Sequence, residues 1–387
     1  MLDSSPRAAP FSLDADQIAI RDMAQAFAAE HFAPHALAWD EARHFPVAEM
    51  REAAALGMGG VFVAEEFGGA GLSRLTGTLI FEALATGCPT VSAYLSIHNM
   101  TALLIDVFGS PSQRRQWLPE LCTMELLASY CLTEPGAGSD AAALITRAVR
   151  DGEHYVISGQ KQFISGAGAG DLYLVMARTG AAGPSGISAF LVPGDSAGLS
   201  FGANERKMGW NAQPTRAVVF QDVRVPAGNR LGEEGVGFKI AMTGLDGGRL
   251  NIAACSLGGA QAALDKALAY TKERKAFGKR LDEFQALQFR LADMATGLEA
   301  SRALLWRAAA ALDRKEPDAG KLSAMAKRFV TDTCFEIANA ALQLHGGYGY
   351  LSEYGVEKIV RDLRVHQILE GTNEIMRLIV ARHLVGR

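Results

Sequence analysis

The spacing of apolar and polar residues changes character twice along the chain. Up to about residue 126 it is helical. Asp14 precedes a run in which Ile20, Met23, Ala24 and Phe27 share one face at helical spacing, and Asp is a favoured N-cap. Pro34 and Pro46 punctuate this region, and Leu56-Gly-Met-Gly-Gly60 and Glu66-Phe-Gly-Gly-Ala-Gly71 read as turns. Between Gly77 and Ser110 the Ala- and Leu-rich pattern predicts long helix. From Leu127 to about Arg230 short β-type runs alternate with Gly, Pro and Asp turns. They include His154-Tyr-Val-Ile-Ser158, Leu172–Ala177, Ile187–Val192 and Ala217–Val225. Nothing helical separates them, so a mainly antiparallel barrel or sandwich is expected and a parallel sheet is not. From Gly237 onward helix returns, with long segments over Leu257–Arg274, Leu287–Leu312, Lys321–Leu344 and Asn373–Leu384. The fold class is therefore mainly α with a central β domain. The expected units are an N-terminal helical domain (1–126), a middle β-barrel domain (127–232) and a C-terminal helical bundle (233–387).

The bulk properties narrow the classes of partner. A chain of 387 residues with 49% hydrophobic and 21% charged residues has enough apolar side chains for a large core. The net charge of −4 and the absence of a Lys/Arg run argue against nucleic acid. Five scattered cysteines without a Cys-x-x-Cys argue against a disulfide framework or a zinc knuckle and point to a reducing compartment. His31 and His35 have a zinc-compatible spacing, but Pro34 intervenes and no third ligand is near, so no metal is expected. The N-terminus, Met1-Leu-Asp-Ser-Ser-Pro-Arg7, lacks the regions of a signal peptide, and no window reads as a membrane span. A cytoplasmic protein without membrane insertion is the expectation.

Glu370 is the leading chemical candidate. It follows the apolar Ile368-Leu369 and precedes Gly371-Thr372, a turn that can start the last helix. Apolar surroundings raise a carboxylate pKa towards the range of a useful base, although a Glu beside a helix start is commonly a capping or surface residue. Pro135-Gly-Ala-Gly-Ser-Asp140 and Ser165-Gly-Ala-Gly-Ala-Gly170 look like dinucleotide loops, but neither has the strand–GxGxxG–helix context of a nicotinamide site. No Gly-x-Ser-x-Gly elbow supports a serine nucleophile. Arg274-Lys-Ala-Phe-Gly-Lys-Arg280 suits either a solvated helix end or a diphosphate. His345-Gly-Gly-Tyr-Gly-Tyr350 suits either a glycine C-cap or close approach of a planar ligand.

In order, Tyr130–Asp140, Gly159–Gly166, Arg274–Gly278, Gln285–Gln288, Gln343–Gly349 and Glu370-Gly-Thr372 resemble the acyl-CoA dehydrogenase family over essentially the whole chain. Lys207–Val218, Gly244–Gly258 and Val365–Glu374 are most similar to members acting on a short branched acyl-CoA, isobutyryl-CoA foremost, with n-butyryl- and 2-methylbutyryl-CoA still open. Asp246 departs from an Asn in similar members, and Ala137 from a common Ser. The resemblance implies noncovalent FAD. Tyr130, Cys131, Leu132, Thr133, Gly138, Ser139, Phe163, Ile164 and Ser165 would contact the flavin. Arg274, Phe284, Gln285, Gln343, Leu344, His345, Gly346 and Gly347 would reach the diphosphate and adenosine ends of a neighbouring subunit's cofactor. Thr372, Asn373 and Glu374 would close over the cofactor. Ser139, Asp246, Gly247, Gly248, Arg249 and Arg382 would contact acyl-CoA. The alternative family position for the base, on an earlier helix, is Gly248 here, which leaves Glu370. A homotetramer built as a dimer of dimers, valine breakdown and an electron-transfer flavoprotein partner complete the implied picture. A monooxygenase, an oxidase and a nucleic-acid-binding member of the same fold are the rival readings.

Overall fold

The computed structural model describes residues 13–386, so Met1–Arg7 lies outside the described residues. Helix α1 (Ala15–Phe27) begins where Asp14 accepts from Gln17 N, and Gln17 returns the bond to complete a capping box. Ala24 and Phe27 are buried, while Met23 stays exposed at the stripe's margin. Short helices α2 (Ala36–Ala42) and α3 (Val47–Ala55) follow.

The predicted long helix from Gly77 to Ser110 is two helices, α4 (Arg74–Gly87) and α5 (Pro89–Phe108). Pro89 starts α5 and pushes Cys88 into an extended conformation (φ −155°, ψ 105°), which breaks the run. Helix α5 also corrects the expectation about membrane spans, because it is long and apolar enough to cross one. In this structure it is mostly buried inside the protein, and a helix apolar all round suits a core as well as a bilayer. Helix α6 (Pro111–Cys122) closes this part.

The middle region is one eight-stranded sheet: β1 (Ala128–Cys131), β2 (Arg147–Asp151), β3 (His154–Ser165), β4 (Leu172–Arg178), β5 (Ile187–Pro193), β6 (Leu199–Phe201), β7 (Thr215–Pro226) and β8 (Arg230–Leu231). The order is β6-β7-β3-β2-β4-β5-β8, with β1 added to β4. Pairing is antiparallel as expected, except that β1 and the end of β2 meet β4 in parallel. Strand β4 reads as an unbroken apolar run because both its faces are buried. Leu172, Leu174 and Met176 pack with Leu104, Leu118 and Ile240, which come from the helical layers. Tyr173, Val175 and Ala177 pack with Tyr155, Ile157 and Phe220 inside the β domain.

Helix α7 (Gly237–Glu273) starts at Gly237, well before the predicted Leu257. Gly244, Gly247 and Gly248 are costly helix formers, but the helix needs them where other groups press against its backbone. The β9 (Lys275–Ala276)/β10 (Lys279–Arg280) hairpin leads to α8 (Gln285–Asp313), α9 (Ala319–His345), α10 (Val356–Arg364) and α11 (Asn373–Leu384). Helix α10 had no counterpart in the sequence reading. Helices α7, α8 and α9 pack side by side, and the Glu370 turn bridges α10 and α11.

Candidate active site

Glu370 sits in a left-handed conformation (φ 57°), followed by Gly371 (φ 87°). Left-handed backbone is strained for a residue with a side chain and points to a constraint on where that side chain must go. Thr372 then caps α11 by accepting from Ile375 N at 3.3 Å, as the Gly-Thr turn predicted. The turn carries the carboxylate onto α7: a Cβ built on Gly248 would lie 2.5 Å from Glu370 Oε2 and 3.2 Å from Met100 Sδ. Any larger residue at 248 collides with the carboxylate.

Oε2 of Glu370 is shut off from solvent and has no hydrogen-bond partner among the described residues. Burial pushes this carboxyl up to about 7, against the opposing pull of Arg249 and Lys327. Its backbone N–H has no hydrogen-bond partner among the described residues. Arg249 is buried and engages Asp246 Oδ1 at 2.5 Å, while burial raises the Asp246 carboxyl. Arg74, which the sequence reading passed over, lies against Gly247 with its guanidinium 4.3 Å above the Phe62 ring. Tyr130 stands near Glu370, its phenol held well above its usual pKa by burial and by that carboxylate. A buried unpaired carboxylate oxygen tuned near neutrality, beside an unengaged N–H, is suited to removing a proton from carbon next to a carbonyl.

A second group forms the rim of the sheet. Ser129 Oγ donates to Ser165 O, and Gln162 N donates to Thr133 O, so residues 130–133 lie beside 163–165. A register shift between Lys161 and Ile164 puts Phe163 in a left-handed conformation (φ 59°) and turns its ring outward, 63% exposed. Ser139 and Gly138 are exposed nearby in sequence, and nothing lies within 4 Å of a Cβ on Gly136 or Gly138. The side chains of Cys131, Leu132 and Ile164 instead point into the core, so any ligand contact there comes from backbone.

This loop is held by a pair that was not singled out from the sequence. Glu134 accepts from Ile145 N (2.7 Å), Thr146 N (2.9 Å) and Lys161 Nζ (2.8 Å), and Lys161 also donates to Leu132 O. Lys161 is fully buried on β3. The signal was present, because a lysine at an inward-facing strand position requires a partner.

The third group is a cavity of about 480 Å³ lined by Tyr270, Arg274, Arg290, Gln343–Tyr348 and three leucines. Gly346 and Gly347 leave its wall open, with nothing within 4 Å of an added Cβ. Phe284 packs edge-on to Phe277 with Lys279 over its ring, at the adjoining hairpin, and Gln285 is exposed there. None of the cavity-lining residues comes from the sheet or from the Glu370 turn. Arg382 is exposed near the end of α11. Asn373 is buried beneath the turn, and Glu374 is exposed.

Comparison with known proteins matches the three parts of the chain in turn. Residues 14–125 match the acyl-CoA dehydrogenase N-terminal domain, 129–223 the middle domain and 235–385 the C-terminal domain. The chain belongs to the acyl-CoA dehydrogenase family. It is 57% identical to a mitochondrial isobutyryl-CoA dehydrogenase of Bos taurus over 96% of this chain and 90% of that protein. It is 42% identical to the mitochondrial short-chain specific acyl-CoA dehydrogenase of Bos taurus, over 95% and 89%. The solved butyryl-CoA dehydrogenase of Megasphaera elsdenii superposes with a TM-score of 0.94 at 38% identity, over 97% of this chain and all of that one.

Acyl-CoA dehydrogenases are FAD-dependent flavoproteins, and this dehydrogenase has features that fit the cofactor. The exposed Phe163 ring and the open glycine loop offer a face for a planar ring system. The cavity with Arg274 and Arg290 offers paired guanidinium groups and bare backbone for a diphosphate.

Proposed function

We propose that this acyl-CoA dehydrogenase carries out α,β-dehydrogenation of a short branched acyl-CoA, with isobutyryl-CoA as the leading substrate. The observation that carries the reading is the buried, unpartnered Glu370 Oε2. Bound FAD supplies the acceptor for the β hydrogen. Glu370 Oε2 takes the α proton, and the Glu370 N–H polarises the thioester carbonyl, without which an α C–H is too weak an acid. Exclusion of water by Tyr130, Met100 and the bare α7 backbone keeps the carboxylate basic. Asp246, Gly247, Gly248 and Arg249 line the acyl-CoA side, with Ser139 and Arg382 as its outer contacts.

Tyr130–Thr133, Gly138, Ser139 and Phe163–Ser165 would hold the flavin, with Thr372–Glu374 closing over it. The cavity at Arg274 and Gln343–Gly347, with Phe284 and Gln285 beside it, takes the diphosphate and adenosine of a partner's cofactor. Its separation within one chain from the other two groups supports a dimer as the minimum unit, and the family resemblance extends this to a homotetramer. An electron-transfer flavoprotein takes the electrons, valine breakdown supplies the thioester, and the cytoplasm is the location. Similarity to an isobutyryl-CoA dehydrogenase supports the substrate. The purified flavoprotein is mixed anaerobically with isobutyryl-, n-butyryl- and 2-methylbutyryl-CoA. Fastest bleaching with isobutyryl-CoA is expected. No bleaching with any of the three would overturn the reading.

A further inference from the structure

We propose that Lys327 is a positioning residue for Glu370, fixing the turn on which the carboxylate stands and facing it with a positive charge. The inference rests on Glu370 being the base. Lys327 comes from the first third of α9 and is fully buried. Its Nζ donates to Gly371 O at 2.7 Å and to Asn373 Oδ1 at 2.9 Å. Those acceptors lie one and three residues beyond Glu370. The same helix completes the grip, because Asn373 Nδ2 donates to Thr331 Oγ1 (3.0 Å) and to Asp332 Oδ1 (2.7 Å). Asp332 Oδ1 also accepts from Gln367 Nε2 at 2.9 Å, on the near side of Glu370. Residues on both sides of the base are thus tied to one face of α9. That explains how Glu370 persists in a left-handed conformation against its intrinsic preference, beside a Gly371 that adopts one freely.

A buried ammonium is an expensive tether, and a neutral donor could hold a carbonyl. Burial pushes Lys327 down to about 8, with Glu370 the largest opposing charge. The other cation near the base, Arg249, pairs with Asp246 at 2.5 Å and exerts the larger pull on Glu370, with Lys327 second. Among the described residues Lys327 hydrogen-bonds only neutral oxygens, so no carboxylate partner offsets its charge towards Glu370. Other titratable groups around this pair are Tyr130 from β1, Asp332 from α9, Glu374 from α11 and His366 from the preceding turn. His366 accepts from Trp210 Nε1, pairs with Ser256 Oγ and is pushed down to about 3, so it stays neutral through the working range.

The test uses the full-length, FAD-loaded enzyme and its Lys327→Met and Lys327→Arg variants. Glu370 is titrated by infrared spectroscopy, using the carboxyl band that disappears in Glu370→Gln, and flavin reduction at saturating isobutyryl-CoA is followed across pH. Lys327→Met is expected to raise the Glu370 midpoint by about one pH unit, the low end of what loss of a nearby opposite charge produces. It is also expected to slow reduction at pH 7 by roughly tenfold or more while KM changes little, a loss confined to the chemical step. Lys327→Arg should keep the midpoint near wild type. An unchanged midpoint in Lys327→Met, or equal shifts in both variants, overturns the proposal. If Lys327→Met does not fold, Lys327→Gln keeps a donor without the charge, and an unchanged midpoint there overturns it equally. The infrared titration needs no substrate. A failed substrate assignment therefore shows up separately, as a wild-type enzyme that titrates near neutrality and bleaches with no thioester.

Discussion

Glu370→Gln tests the electrostatics of the site without any turnover. The carboxyl is raised from 4.5 in an unfolded chain to about 7 in the fold, chiefly by burial. Between those values the native protein holds a proton that the unfolded chain has released, so stability falls as pH rises. The favourable term is fully present below pH 4.5 and is gone once pH has passed through 7. At about 1.4 kcal/mol per pH unit, the shift amounts to about 3 kcal/mol lost by wild type, a loss the isosteric amide does not suffer. In a chain of this length that corresponds to a few °C in midpoint, roughly 3–6 °C. Thermal scans of both FAD-loaded proteins at pH 5 and pH 8.5 measure it. Glu370→Gln should match wild type or differ by a small constant at pH 5 and exceed it clearly at pH 8.5. Other groups titrate in both proteins and cancel in the comparison. An offset that is the same at the two pH values would refute the claim that the folded protein buries an ionised carboxylate here.

Three further outcomes follow from the same geometry. Gly248→Ala places a methyl 2.5 Å from Glu370 Oε2, so flavin reduction should slow by about 10- to 100-fold in a folded, yellow protein, the cost of displacing the base by about an ångström. Rapid mixing measures it, and a wild-type rate would mean that the carboxylate lies elsewhere during turnover. Lys161→Met leaves Glu134 buried without its cation, which should cost about 3–5 kcal/mol and loosen residues 134–146, read as a lower melting temperature and a lower FAD content after purification. Met100→Ala removes the thioether that stands by both Gly244 and Gly248, enlarging the acyl end. The ratio of kcat/KM for n-hexanoyl- over isobutyryl-CoA should rise by about 10-fold or more, and an unchanged ratio would exclude Met100 from the pocket wall.

The layout of the chain was legible in the sequence because it depends on local periodicity. The Asp14 cap, the alternation in β3 and β7, and the helical runs of α8, α9 and α11 are properties of neighbouring residues. Glu370-Gly-Thr372 announced a turn and a helix start, and the motifs announced a family. The sequence signal weakened where local preference and tertiary need disagree. Three glycines in five residues argue for a loop, yet α7 runs straight through them, because Arg74, Leu104, Met100 and Glu370 occupy the space that side chains would need. Pro89 divides a run whose composition is uniformly helical. The pairs Lys161–Glu134 and Lys327–Asn373 join residues far apart in the chain, and no spacing rule connects them. Residue types and their order were enough to nominate a base. Only the packing of α7, α9 and the 365–373 turn removes water from that carboxylate, leaves one oxygen unpartnered and sets its pKa, because desolvation and charge separation are properties of the assembled fold and not of the chain.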